Sequence, residues 1–314
     1  MYFAVAGIEV HPLIPPAVAF IISFFTSMGG VSGAFLILPF QVSVLGFGTP
    51  AVSSTNQLYN IVAIPSGVYR YIKEGRMVWP LTWAVVTGTL PGVLIGAILR
   101  ITYLPDPAKF KLFVGLVLLY VGGRLLKEVL IKDKGDRHDS SAEEQFQALL
   151  HDYRSKQKQG KRLPAVVVKK FSLFRIVYEF YGQEFDISAI GIMGLSFIVG
   201  IIGGVYGIGG GAIIAPFFVS YFGLPVYTVA GAALTGTFVT SVAGVLFYQL
   251  MAPYYPEMVI SPDWTLGFLF GIGGFAGMYL GARTQKYFPA RLIKFILVSC
   301  ILFVAVKYIV GFFF

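Results

Sequence analysis

Eight apolar runs, at roughly 13–47, 51–71, 78–100, 110–131, 188–224, 227–250, 264–283 and 292–314, fill most of this 314-residue chain. Each approaches or exceeds the ~20 residues that a helix needs to cross a bilayer. Only 12% of residues are charged and the mean hydropathy is +0.77, too little polar surface for a soluble domain of this length. The sequence therefore predicts an all-α polytopic membrane protein. No basic stretch precedes the first run, so its helix is expected to be kept rather than cleaved as a signal peptide. The lone Cys300 lies in the last run and reads as a small buried hydrophobe.

The chain repeats itself. At an offset of 177, residues 30–71 pair with 207–248 without a gap, and 13 of the 42 pairs are identical, among them Gly30 with Gly207, Gly33 with Gly210, Pro39 with Pro216 and Gly67 with Gly244. Farther on, at an offset of 185, GTLPGVLIGA (88–97) pairs with GGFAGMYLGA (273–282). Glycine and proline in register argue for a duplication rather than a shared apolar alphabet.

Loop charge sets the expected orientation. YRYIKEGRM (69–77) carries Arg70, Lys73 and Arg76, whereas its counterpart LMAPYYPEMVISPDW (250–264) has no Lys or Arg. By the positive-inside rule the first is cytoplasmic and the second external, which requires two inverted-topology repeats. The linker, with 11 Lys and Arg in 132–185, then lies inside and both termini outside; the loop 100–111, with Arg100, Lys109 and Lys111, is the exception. The expected organisation is a first repeat (1–131), a cytoplasmic linker subdomain (132–186) and a second repeat (187–314). Within the linker, 132–162 reads as solvated helix and loop and 165–185 as a short β-hairpin.

Residues 203–216, GGVYGIGGGAIIAP, contain a match to the G-x-G-x-x-G/A loop that holds a dinucleotide. That reading needs an acidic residue about 20 positions on for the ribose, and no Asp or Glu occurs between Asp186 and Glu257. Half of the pattern recurs at SMGGVSGAFLILP (27–39). Each cluster divides an apolar run into short pieces, the sequence sign of broken or re-entrant helices meeting near the midplane. Helices starting after Gly33 and Gly210 would aim unpaired N–H groups and the positive end of their dipoles into that junction, an arrangement suited to an anion. The glycines at 92–97 and 277–282 read instead as positions of close helix packing.

The next helix of each half adds polar side chains. Ser53, Asn56, Gln57 and Asn60 form one stripe at i, i+3, i+4 and i+7. Thr237, Thr240 and Ser241, with Thr235 close by, form its counterpart. The candidate substrate-binding set is Gly30, Ser32, Gly33, Ser53, Asn56, Gln57, Asn60, Gly207, Gly209, Gly210, Gly211, Thr235, Thr237, Thr240 and Ser241. For the stripes, hydrogen bonding between helices is an open alternative.

Glu128 at the linker end of the fourth run aside, the spans lack Asp, Glu and His; His11 is near the N-terminus, and His138 and His151 are in the linker. No general base for an intramembrane enzyme is present, nor a carboxylate of the kind cation carriers use. No metal, cofactor or nucleic acid is expected. Arg70, Arg100 and Arg283, near span ends, are expected to snorkel or to lie in loops.

Two halves joined by a basic linker, the break G-x-G-G-G-x-x-x-x-P at Gly207 to Pro216, and its weaker echo at Gly30 to Pro39 together resemble the TauE/SafE family of sulfite and organosulfonate exporters. The resemblance implies export of a small sulfur oxyanion across a cell membrane, of the bacterial inner-membrane type. The expected mechanism is alternating access, the two halves rocking around the central site; an anion channel is the alternative. Expected partners are that anion and the lipid bilayer, with a homodimer left open.

Overall fold

The computed structural model describes residues 1–28, 32–73, 75, 77–131, 166–180, 183–224, 226–284 and 290–313. Gly30 and the linker segment 132–162, with the helix and loop expected there, lie outside these residues.

The first half comprises α1 (Ile14–Met28), α2 (Ala34–Ser43), α3 (Ala51–Ala63), α4 (Pro65–Lys73), α5 (Trp79–Thr102) and α6 (Pro107–Ile131). A small hairpin, β1 (Tyr2–Phe3) and β2 (Ile8–Glu9), precedes them. Between the halves stand β3 (Val166–Phe171), β4 (Arg175–Phe180) and β5 (Gln183–Ser188), an antiparallel meander in the order β3-β4-β5. The expected hairpin thus gains a third strand: QEFDIS alternates polar and apolar residues and pairs along its whole length with β4. The second half holds α7 (Ala189–Tyr206), α8 (Ile214–Phe222), α9 (Val226–Met251), α10 (Trp264–Thr284) and α11 (Ala290–Phe313).

Five helices are long and apolar enough to cross a membrane: α5, α7, α9, α10 and α11. The protein is a mostly helical, multi-pass membrane protein. In α5 the helix runs on through Pro91, which a membrane interior tolerates because neighbouring groups satisfy the freed carbonyl. Trp79, Trp83 and Trp264, at or near helix starts, point outward, as expected of interfacial anchors. Cys300 differs from its reading: it is exposed on α11, where lipid solvates an apolar side chain as well as a core would.

Glycine sets which helices touch. Gly88, Gly92 and Gly96 of α5 press in turn on the α7 backbone at Met193, Phe197 and Ile201, so the two helices run parallel. Gly273, Gly277 and Gly281 of α10 press likewise, in order, on Pro16, Phe20 and Phe24 of α1. A methyl group added at Gly92 would lie 2.4 Å from the Phe197 carbonyl oxygen. Gly92→Ala is therefore expected to push α5 off α7 and to cost about 1–3 kcal/mol, read as a lower melting temperature in detergent with no new ligand dependence.

The other seams fix the remaining directions. Leu58 and Val62 of α3 meet Gly267 and Gly271 of α10, a parallel pair. Val85 meets Gly236, and Ala97 packs with Tyr248, so α5 and α9 are parallel too. Against these, Gln57 meets Gly244 and Asn60 bonds Ser241, making α3 and α9 antiparallel. Helices α1, α3 and α10 thus point one way and α5, α7 and α9 the other. Gly115 and Gly122 of α6 meet Tyr308 and Leu302 of α11, an antiparallel pair at the flank.

Candidate functional site

The second break begins where α7 stops. Gly207 adopts φ 83° and its N–H closes onto the Gly203 carbonyl at 2.9 Å; Gly209 follows at φ 80°. Two left-handed residues within three turn the chain back, and only glycine takes that conformation without strain. Crowding reinforces the requirement, since a Cβ on Gly207 would sit 2.5 Å from the Ser53 Cα, and one on Gly211 would sit 2.0 Å from the Ala233 carbonyl oxygen. The short helix α8, 9 residues long, spans only about 14 Å at 1.5 Å per residue, half a bilayer core. The Gly210 N–H donates to Thr240 Oγ1 at 3.0 Å, in the middle of α9, so the break lies at depth.

The first break sits opposite. Ser32 Oγ donates to Asn60 Oδ1 at 3.1 Å and accepts the Ala34 N–H at 3.3 Å, at the start of the 10-residue α2. Tyr206, at the last turn of α7, donates its hydroxyl to the Phe35 carbonyl at 2.8 Å. Asn56 Nδ2 joins the two breaks directly, donating to the Ala34 and Gly207 carbonyls, each at 3.0 Å. Asn60 Nδ2 donates to the Ile208 carbonyl at 2.9 Å and to Ser241 Oγ at 3.3 Å. All of these side chains are buried.

This pattern sorts the groups of the second break by polarity. Its carbonyl side, Gly207 and Ile208, is taken up by the amides of Asn56 and Asn60. Its N–H side leads into the turn before α8: the Gly210 N–H donates to Thr240 Oγ1, and Gly211 and Ala212 follow ahead of Ile214. A cavity with space for about one water adjoins them, lined by Ser32, Gly211, Ala212, Ala215, Ala233 and Thr237, among others. No carboxylate lines it. The start of α8 adds the positive end of its dipole, which with the absence of a carboxylate favours a negative guest.

The candidate residues fall into groups. Ser32, Gly33, Asn56, Asn60, Gly207, Gly209, Gly210, Gly211, Thr237, Thr240 and Ser241 converge on the paired breaks. Gln57 faces the α9 backbone at Gly244, with both amide atoms unpartnered. Ser53 abuts Gly207 and accepts from Arg100 Nε at 3.3 Å. Thr235 lies apart, bonded to the Gly231 carbonyl at 2.9 Å and near Met77. The amides of Asn56 and Asn60 bind backbone carbonyls, and the hydroxyl protons of Ser32, Thr237 and Thr240 go to Asn60 Oδ1 and to the Ala233 and Gly236 carbonyls, so a guest would draw on backbone N–H groups.

Sequence reasoning passed over three groups. Tyr206 and Gln41, whose Nε2 donates to Asn56 Oδ1 at 3.4 Å, carry no local signal beyond being polar or aromatic in an apolar run. Arg100 was expected to snorkel but is fully buried. The signal was available, since Ile101, Tyr103 and Leu104 continue the apolar character beyond it.

Paired half-length helices meeting at depth within a multi-pass helical bundle are the architecture of a membrane transporter. The family model for the sulfite exporter TauE/SafE matches residues 16–308, and the chain belongs to that family. It is thus a transporter of the TauE/SafE sulfite exporter type rather than an enzyme. No curated protein and no solved structure matches the chain.

Proposed function

We propose that the protein exports a small sulfur-containing anion, sulfite, sulfoacetate or a related organosulfonate, from the cytoplasm across the cell membrane. The observation that carries this reading is the cavity at the start of α8, where Gly211 and Ala212 lie beside Ser32 and Thr237 and no carboxylate stands. A sulfur oxyanion has several strong acceptors and accepts from backbone N–H groups at a helix start without needing a counter-cation.

Alternating access between inverted repeats is the mechanism proposed. Opposite directions for α1 and α7, α3 and α9, and α5 and α10, each a pair of corresponding helices, support the inversion. The water-sized cavity supports an occluded resting form, because a sulfite would need the breaks to part. The organisation proposed is a first repeat to residue 131, a cytoplasmic linker and a second repeat from 187. An outward negative charge moving down an inside-negative potential releases about 2.3 kcal/mol per 100 mV, so uniport suffices as a drive.

In proteoliposomes loaded with labelled sulfite, efflux is expected to saturate with internal sulfite and to accelerate when unlabelled sulfite is supplied outside. Efflux linear in concentration with no trans-stimulation would mean a channel. Absence of sulfite or sulfonate flux altogether would sink the substrate class.

A further inference from the structure

Only two charged side chains are buried among the described residues, Asp263 and Arg100. Asp263 is fully used: it accepts the Leu266 N–H at 2.9 Å as the cap of α10 and the Ala6 N–H at 3.3 Å. Arg100 is different. Its Nε donates to Ser53 and its Nη1 to the Leu104 carbonyl, and the Phe110 ring covers the guanidinium with its centroid 3.8 Å away. Among the described residues Nη2 has no hydrogen-bond partner and no carboxylate forms an ion pair with Arg100. Beside it lies Tyr248, fully buried, whose hydroxyl neighbours Ser53 and Arg100 yet makes no hydrogen bond of normal geometry.

A guanidinium is not deprotonated in proteins, and a buried charge without a partner costs several kcal/mol. One carbonyl at a helix end and one ring face reduce that cost but supply no negative charge. Two N–H bonds on Nη2 and one phenolic O–H, all unspent and side by side, form a donor set for an oxyanion. The place is also specific. Ser53, which accepts from Arg100, packs directly on Gly207 of the second break. At the offset of 185 the corresponding position in the other half is Gln285, not a cation, and Arg283 in the last turn of α10 is exposed.

We infer that Arg100, with Tyr248, forms a second anion-binding position, one residue beyond the central break, at the end of the molecule where α5 and α9 finish. Its ligand is a small oxyanion held as the counter-charge of Arg100. That this anion is the exported cargo rests on the function proposed above; that the position binds an anion does not. The Phe110 ring closes it in the present form, so an anion enters when the start of α6 moves.

The test is equilibrium binding of labelled sulfite to the purified full-length chain, with Arg100→Gln and Tyr248→Phe beside the wild type. Two anions per chain are expected in the wild type and one in Arg100→Gln. Tyr248→Phe removes only an unpartnered hydroxyl, so it folds normally; it should weaken one of the two sites roughly tenfold. It keeps the inference testable even where Arg100→Gln does not fold. Wild-type stoichiometry and affinity in folded Arg100→Gln, or in Tyr248→Phe, overturns the inference and makes Arg100 a brace for the end of α5. Sulfite flux with no Arg100-dependent binding overturns this site and leaves the export proposal standing. Arg100-dependent binding without flux does the reverse.

Discussion

Gly207→Ala is expected to be among the most damaging single-methyl changes in the protein. The left-handed backbone at φ 83° costs an L-residue about 1–2 kcal/mol. The new Cβ, 2.5 Å from the Ser53 Cα, meets backbone rather than a yielding side-chain tip, and overpacking of that kind adds about 1–3 kcal/mol. Gly46→Ala is the natural comparison. It shares the positive φ, at 77°, but a Cβ there has nothing within 4 Å, so only the conformational part is lost. Thermal unfolding in detergent should rank Gly207→Ala well below Gly46→Ala, and efflux should fall sharply only in the former. Equal melting temperatures for the two would mean that α3 and the break yield to each other easily, and the contact would not define the site.

Asn60→Leu should be nearly as severe by a different route. Leucine matches the volume but leaves the Ile208 carbonyl without its donor and Ser32 without its acceptor, each stranded in a buried place. An unsatisfied buried group costs about 1–3 kcal/mol, so two of them amount to several. With the carbonyl side of the break freed, its N–H side also loses its fixed aim, and efflux should drop more than stability alone explains. Thr235→Val makes the contrast: its hydroxyl serves only its own helix and Met77, and efflux should change by less than about twofold. A large effect at Thr235 with none at Asn60 would place the pathway on the other face of α9.

Much of this architecture could be read from the chain because bilayers leave so few options. Runs at 188–224 and 13–47 were too long for one helix and carried glycine in their middle, and each holds a longer helix followed by a half-length one. Spacing of Gly88, Gly92 and Gly96 announced close packing, though not its partner, since no periodicity tells α5 that α7 rather than α3 will face it. The polar stripes fall on α3 and α9 beside the two breaks, yet their hydrogen-bond partners depend on where the Gly207 loop turns, a three-dimensional matter. That is why Thr235 and Thr237, two residues apart, end on different sides of α9. Arg100 misled for a related reason: a charge near a helix end normally reaches water, and only the placement of Phe110 and Tyr248 holds it inside.

The crossing of α1 onto α10 and of α7 onto α5 bears on how such a molecule can move. Each half lends its first long helix to the other, so the largest seams join residues far apart in sequence. A motion that keeps those glycine-lined seams intact cannot split the protein at its linker and tilt one half against the other. On the alternating-access proposal the bodies that shift are therefore mixed ones, α1 travelling with α10 and α7 with α5, and not the two sequence halves whose rocking was expected. Severing the chain within 132–165 would then leave the moving parts whole, whereas neither half expressed alone would possess even one of them.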